Sequence, residues 1–219
     1  YLVGELQSNI IKDYDAFDFY LAMQKSLSFC SEDMGGFYLD ILKDRLYTTA
    51  ENSHGRRSAQ TALFHITQSL IRLMAPVLSF TAEELWNVVN KDNKSTIFVE
   101  NWYELPSHDL SGEELLRWQQ ALDVRNLANK KIEALREEGI IGSSLQAELE
   151  ISAPSDIYKN LSFFDNELKY ILITSKISLK ESQKNLEIKV KASENNKCER
   201  CWHYEEDIGN SSEHPTICK

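Results

Sequence analysis

The fold prediction rests most on one stretch in the first half of the chain, Met74-Ala75-Pro76-Val77-Leu78-Ser79-Phe80-Thr81-Ala82-Glu83-Glu84-Leu85-Trp86. Pro76 interrupts a helix because its ring removes an N–H donor and clashes with the preceding turn. Before it, apolar residues recur every three or four positions, as in one face of a helix: Leu63, Ile66, Leu70, Leu73 and Val77. After it, Ser79 or Thr81 can cap a second helix that has Glu83 in its first turn. The stretch therefore predicts two helices joined at Pro76.

Helical periodicity extends in both directions from this stretch. An upstream stripe predicts one buried helix face, with Cys30 as a small buried hydrophobe: Tyr20, Met23, Leu27, Cys30 and Met34. Downstream, Ser111 followed by Glu114 forms a capping box and opens a long helix to about Glu138. Its apolar stripe is Ala121, Val124, Ala128, Ile132 and Leu135. Residues 1–110 are therefore predicted to be a helical bundle.

After this helix the spacing of apolar residues changes from a period of about 3.6 to a period of 2, which is typical of strands. Residues 147–151 and 186–192 alternate apolar and polar side chains, and a further strand is expected around residues 176–179. A short helix is expected near residues 156–164 between them. Residues 111–192 are predicted to be a long helix with a small α+β unit, and residues 193–219 a separate cysteine module.

The cysteine module has the spacing of a zinc site. Cys198-Glu199-Arg200-Cys201 is a Cys-x-x-Cys knuckle, and Cys218 begins a second one. Two such knuckles bring four thiolates to one tetrahedral ion. We expect the chain to be a piece of a longer protein in which a cysteine three residues after Cys218 completes the set. His203 or His214 is the alternative fourth ligand, and a redox pair is a further alternative. With three ligands, weak or absent zinc and an unordered tail are expected.

Composition excludes little. The net charge is −10, which argues against a general nucleic-acid binder, because phosphate contacts need Lys and Arg. The charge is unevenly distributed, however, and residues 43–57 are locally basic. No apolar run is long enough to predict a transmembrane span, so no membrane partner is expected. The cysteine usage fits a reducing compartment.

Two groups of motifs resemble a known family. Asp44-Arg45-Leu46-Tyr47, the run at residues 56–63 and the stretch quoted first resemble the anticodon-binding helical bundle of class I aminoacyl-tRNA synthetases, in the isoleucine, valine and leucine subgroup. Cys198-Glu199-Arg200-Cys201-Trp202-His203-Tyr204 is similar to the C-terminal zinc finger of bacterial isoleucyl-tRNA synthetases. The same type of finger occurs in formamidopyrimidine DNA glycosylases. The finger favours isoleucine over valine enzymes, which usually end in a coiled coil.

The resemblance implies a mainly α fold: an anticodon-binding bundle, a small α+β unit and a truncated zinc ribbon. It implies a cytoplasmic, monomeric parent that joins isoleucine to its tRNA with ATP and magnesium. The His-Ile-Gly-His and Lys-Met-Ser-Lys-Ser motifs of this class do not occur in these residues. No catalytic residue is therefore expected here, and the expected partner is isoleucine tRNA.

Anticodon loops are bound through stacked bases and phosphate contacts. The candidates are Lys43, Arg45, Arg56 and Arg57 in the bundle and Arg200 and Trp202 in the finger, with Lys219 as a further phosphate contact. The alternative for the charged residues is a solvated face or local ion pairs. For Trp202 it is the small core of the finger. Trp86 and Trp102 are expected in the core of the bundle, and a basic face at Lys130, Lys131 and Arg136 is expected to be solvated surface.

Three other functions stay open at this point. The chain could come from a valyl- or leucyl-tRNA synthetase, which the bundle alone does not distinguish. It could come from a DNA-repair glycosylase, although such enzymes need an N-terminal Pro-Glu pair and this chain begins Tyr1-Leu2-Val3. It could also be a zinc-stabilised scaffold for protein partners.

Overall fold

Two units are present in a computed structural model, which describes residues 1–91, 95–107 and 110–218. They are Tyr1–Asp109 and Leu110–Lys219. The first is helical. Its helices are α1 Leu2–Asp15, α2 Phe19–Ser28, a π-helix Phe29–Tyr38, α3 Leu39–Tyr47, α4 His54–Met74, α5 Ser79–Val89 and a 3-10 turn Ile97–Val99. The predicted helical bundle is confirmed.

The first unit has its core around α1 and α4. One cluster of buried side chains joins α1, α2, the π-helix and α4: Val3, Leu6, Ile10, Ala22, Phe29, Met34 and Leu73. A second cluster joins α4, α5 and the 3-10 turn: Ile71, Ala75, Ala82, Trp86 and Ile97. Removing this apolar surface from water supplies most of the free energy that holds the helices together.

The junction of α4 and α5 differs from prediction in its cap. As expected, α4 ends at Met74, just before Pro76. The N-cap of α5 is Leu78, which makes no side-chain cap hydrogen bond, so the predicted capping by Ser79 or Thr81 is wrong. Glu83 has another role. Its carboxylate accepts hydrogen bonds from Thr96 Oγ1 at 2.9 Å and from the Ile97 N–H at 3.0 Å, and so ties α5 to the segment that follows it.

The N-terminal stripe prediction is right at Met34, which is buried, and partly right at Met23, which is half-buried, but it is wrong for its other members. Tyr20 is 76% exposed and Leu27 is 71% exposed, and Cys30 is also exposed. The buried side chains of α2 are Ala22 and Ser26. Small side chains at a helix contact permit a short interaxial distance. The helical period alone does not show which of two faces will be buried when both carry suitable side chains.

The second unit combines one long helix with two small sheets. Its elements are α6 Gly112–Glu137, a 3-10 turn Ser144–Gln146, β1 Ala147–Ala153, α7 Ser155–Ser162, a 3-10 turn Asp165–Glu167, α8 Leu168–Leu172, β2 Lys176–Glu181, β3 Glu187–Ala192, β4 Asn196–Lys197 and β5 Tyr204–Glu205. The predicted strands and the short helix are confirmed, with small shifts in their bounds.

The long helix α6 is capped and buried as predicted. Ser111 Oγ accepts from the Glu114 N–H at 3.2 Å, and the Glu114 carboxylate accepts from the Ser111 N–H at 2.9 Å. The hydrogen bonds from Ser111 lower the pKa of Glu114. Along the predicted stripe the first four side chains are buried: Ala121, Val124, Ala128 and Ile132.

The three-stranded sheet has the order β2-β1-β3. β1 pairs in parallel with β2, so that Leu149 lies opposite Ile177, and antiparallel with β3, so that Leu149 also lies opposite Val190. Parallel strands need a crossover connection, which α7 and α8 provide here. The smaller sheet pairs Lys197 with Tyr204 and builds the start of the cysteine module.

Candidate RNA contacts and a candidate zinc site

The turn between α3 and α4 is held by its own side chains. Thr49 Oγ1 donates to the Arg45 carbonyl at 2.6 Å, and Ser53 Oγ donates to Thr49 Oγ1 at 3.0 Å. Ser53 is also the N-cap of α4, because its Oγ accepts from the Arg56 N–H at 3.3 Å. The turn therefore has a defined shape that places the start of α4.

Three of the predicted arginines, Arg45, Arg56 and Arg57, lie near this turn. Arg56 Nη1 donates to the Thr49 carbonyl at 3.4 Å, whereas its Nε is buried and has no hydrogen-bond partner among the described residues. The Arg45 Cδ lies 4.0 Å from where a side chain would begin at Gly55. Arg57 is exposed and donates a long bond, 3.4 Å, to Gln60 Oε1. The structure thus brings Arg45, Arg56 and Arg57 to one end of α4.

Lys43 is on the exposed side of α3. Its Nζ pairs with the Asp40 carboxylate at 2.5 Å, as the local ion-pair alternative predicts. An exposed pair of this kind contributes little free energy. A phosphate can therefore compete for Lys43, which remains a candidate.

The start of α4 is suited to an anion. Its first turn contains no acidic side chain. The free N–H groups and the dipole of a helix N-terminus favour negative charge. The three arginines around this turn add formal positive charge to that of the helix. These features make the start of α4 a candidate phosphate contact.

The three finger cysteines, Cys198, Cys201 and Cys218, come together in the second unit. Their sulfur atoms all lie within 4.8 Å of one another, and the Cys201 and Cys218 sulfurs are 3.5 Å apart. Ligands that bind one tetrahedral zinc ion with bonds of about 2.3 Å have sulfurs about 3.8 Å apart. The three positions therefore fit zinc.

Backbone N–H groups stabilise the thiolate form of the buried Cys198 side chain. Burial would raise the pKa of Cys198, but hydrogen bonds from the backbone N–H groups of Cys201, Cys218 and Arg200 outweigh it and lower the pKa to about 7. Burial raises the pKa of Cys201 and of Cys218. A metal ion would hold all three as thiolates, since zinc ligands must be deprotonated.

The fourth ligand is not supplied by the part of the chain that is described. His203 is buried, and one of its ring nitrogens lies within 4.8 Å of the Cys201 sulfur. Neither His203 nor His214 joins the group formed by the three sulfurs among the described residues. The geometry therefore gives no support to the three-cysteine, one-histidine alternative.

Trp202 lies on the surface of the finger. Its side chain is 60% exposed, so the alternative of a small finger core around this ring is wrong. The backbone is left-handed at φ 67°, and the Trp202 N–H donates to the Cys198 carbonyl at 3.0 Å. Arg200 is exposed in the turn of the knuckle. Lys219 lies outside the described residues.

Lys197 is a candidate that the sequence analysis missed. Its Nζ lies 5.0 Å from the centroid of the Trp202 ring. The residues are five positions apart, and only the pairing of β4 with β5 brings the lysine to the ring. A lysine just before the first cysteine of a knuckle was the one available signal, and it is weak without the hairpin.

The structure also places the two tryptophans predicted in the core and the predicted basic face of α6, where Lys130, Lys131 and Arg136 are exposed as expected. Trp86 is 2% exposed and its Nε1 donates to the Ser95 carbonyl at 2.8 Å, as expected of a core residue. Trp102 is 40% exposed and stacks on Tyr14, so its predicted core position is only partly right. On α6, Lys131 donates to the Ile188 carbonyl at 2.6 Å, which ties α6 to β3.

Two family models match parts of this chain. Residues 2–151 match the family described as "Anticodon-binding domain of tRNA ligase", which is more than half of the chain. The chain belongs to this family. Residues 195–219 match the family described as "Zinc finger found in FPG and IleRS", and they include the finger cysteines. Among the described residues, no helix is both long and apolar enough to cross a membrane.

The similar proteins include several bacterial isoleucine–tRNA ligases. An isoleucine–tRNA ligase of Cupriavidus pinatubonensis is 45% identical over 99% of this chain and 23% of its own length. Those of Paraburkholderia phytofirmans and an Azoarcus species are 48% identical, over 99% and 94% of this chain and 23% and 22% of their own lengths. The chain thus spans just under a quarter of these relatives. The valyl, leucyl and DNA-glycosylase alternatives are not favoured.

Proposed function

We propose that this chain is the tRNA-binding region of an isoleucine–tRNA ligase and that it contacts the anticodon stem and loop of isoleucine tRNA. The proposal draws on the family of residues 2–151 and on the relatives, which are isoleucine–tRNA ligases. The single observation that carries the RNA contact is the start of α4, where Arg45, Arg56 and Arg57 lie near a helix N-terminus whose first turn has no acid.

The reaction itself belongs to the rest of such an enzyme. The two ATP-binding motifs of the class do not occur in these residues. ATP, magnesium and isoleucine are therefore used elsewhere, and this region contributes affinity and orientation for the tRNA. We further propose that it is a monomer in the cytoplasm with three parts: residues 1–110, 111–192 and 193–219.

Zinc has a structural role in this proposal. Cys198, Cys201 and Cys218 would hold the ion, which would link the two knuckles and stabilise a module too small for a large core. Three thiolates bind zinc more weakly than four, so a further ligand is expected in the complete enzyme. The finger then presents Arg200 to RNA phosphates and Trp202 to a base.

The contact at α4 is tested with Arg57→Ala in the 219-residue chain, titrated against labelled isoleucine tRNA over a range of salt concentrations. The side chain of Arg57 is exposed and makes a single long hydrogen bond, to Gln60, within the described residues, so its loss should leave the fold intact. Each lost phosphate contact lowers the slope of log affinity against log salt by about 0.7 to 0.9.

The matched control is Arg136→Ala, which removes the same charge from the exposed end of α6, where Arg136 pairs with Glu133. We expect a smaller salt slope and weaker binding for Arg57→Ala than for this control. Equal affinities and slopes in the two variants would contradict the RNA contact at α4.

A further inference from the structure

The Trp202 ring is held out from the finger by the backbone. A left-handed φ of 67° is unfavourable for a bulky side chain, and glycine would adopt it without steric cost. The hydrogen bond from the Trp202 N–H to the Cys198 carbonyl closes the turn of the knuckle and holds the backbone in this conformation. A strained, exposed aromatic residue is a feature that often marks a functional position.

Lys197 approaches this ring from the neighbouring strand. The pairing of Lys197 with Tyr204 places the lysine beside the knuckle, and its Nζ lies over the indole at 5.0 Å from the centroid. A cation at this distance is attracted to the ring. The gap is too narrow for a base to lie between the ammonium and the ring, because stacked rings need roughly 3.5 Å on each side.

The nearby carboxylates of Glu205 and Glu206 pair with other lysines, not with Lys197. Glu205 pairs with Lys169 at 2.8 Å, and Glu206 pairs with Lys176 at 2.5 Å. Lys197 itself has no ion pair in residues 1–91, 95–107 and 110–218. Its interaction with the indole therefore meets no competing ion pair in the described structure.

We propose that Lys197 is a positioning residue for Trp202. It fixes the angle of the ring and covers one face, so the indole offers a single face to RNA. Such a surface takes one unpaired base at the edge of a loop and excludes insertion of the ring between two bases. The inference rests on the proposed function, since it assumes that the finger contacts an RNA loop.

The test uses the 219-residue chain with excess Zn²⁺ and an anticodon stem–loop RNA of isoleucine tRNA. The fluorescent base 2-aminopurine replaces each loop base in turn, because its emission is quenched when it stacks. Lys197→Gln removes the ammonium, and Lys197→Arg keeps a cation over the ring. Lys189→Gln is the matched control, since Lys189 is an exposed lysine on β3 with a long pair, 3.8 Å, to Glu187.

We expect one loop position to be quenched by the wild-type chain. Lys197→Gln should weaken binding about two- to five-fold and reduce the quenching at that position, whereas Lys197→Arg should restore both. Lys189→Gln should leave the quenching unchanged. Equal effects of Lys197→Gln and Lys189→Gln, or a Lys197→Arg variant that restores neither signal, would overturn the positioning role.

Trp202→Ala distinguishes this failure from failure of the proposed function. A lost stacking contact weakens binding roughly 5- to 150-fold. If Trp202→Ala weakens binding and Lys197→Gln behaves as the control does, the positioning role alone is wrong. If Trp202→Ala changes nothing, the finger does not stack on the RNA and both proposals for it are wrong.

Discussion

Two tryptophans of the first unit provide a matched test of the fold. Trp86 is 2% exposed and lies in the cluster with Ile71, Ala75, Ala82 and Ile97, whereas Trp102 is 40% exposed. The same change, Trp→Phe, is made at each position. Because the substitution is identical, a difference in stability between the variants reports the surroundings of each ring.

The expected cost at Trp86 has three parts. Phenylalanine cannot donate to the Ser95 carbonyl, which removes a hydrogen bond worth about 1 kcal/mol. The smaller ring also leaves a cavity in a packed core, which adds about 1 kcal/mol. The Arg72 guanidinium, 4.7 Å from the Trp86 ring centroid, has a weaker partner in phenylalanine. We expect Trp86→Phe to destabilise the first unit by about 2 to 3 kcal/mol.

The expected cost at Trp102 is much smaller. Its ring stacks on Tyr14 with an angle of 9° between planes and a centroid distance of 6.0 Å, and a phenyl ring can keep this contact. The exposed part of the indole contributes little to stability. We expect Trp102→Phe to cost about 0.5 kcal/mol or less.

Urea unfolding measures both free energies. The tryptophans of the second unit are first replaced by phenylalanine, so that fluorescence reports the first unit alone. Trp102 is then the probe in the Trp86→Phe variant, and Trp86 is the probe in the other. Equal losses in the two variants, or a larger loss for Trp102→Phe, would refute the assignment of Trp86 as the anchor of α5 and the segment after it.

Two further predictions concern the second unit. Gly139 has φ 72° and Gly112 begins α6, and both have open space where a side chain would begin. Gly139→Ala should lower the free energy of unfolding by about 1 kcal/mol, whereas Gly112→Ala should be neutral or stabilising by about 0.4 to 1 kcal/mol. Urea unfolding that shows no loss for Gly139→Ala would contradict the argument from its left-handed backbone. With excess Zn²⁺ a thiol reagent should label Cys30 alone, and chelation should expose the finger cysteines as well; a labelling pattern that chelation does not change would argue against zinc at this site.

The sequence was sufficient where a signal is local. The capping box at Ser111 and Glu114, the stripe along α6 and the break at Pro76 each depend on residues within a turn or two of one another. The same holds for the finger cysteines, whose spacing along the chain is enough to predict a shared ion. Local hydrogen bonds and steric exclusion act in the same way in most folds, which is why the helix bounds and the meeting of the three sulfurs agree with these predictions.

Tertiary structure decided which of several suitable surfaces became buried. The period at Tyr20 and Leu27 predicts a helix, but the buried face of α2 carries Ala22 and Ser26, whose small side chains suit close helix packing. Sequence also could not separate Trp86 from Trp102, since each lies among apolar residues.

The cysteine module shows the same division. Cys198, Cys201 and Cys218, and with them the expectation of zinc, follow from the sequence alone. The neighbour of Trp202 does not, because Lys197 reaches the ring only through the pairing of β4 with β5. Spacing along the chain determines which ligands can meet at one ion. Only the folded backbone determines which side chain covers a face of the indole. That contact depends on the pairing of β4 with β5, the two strands on either side of the knuckle.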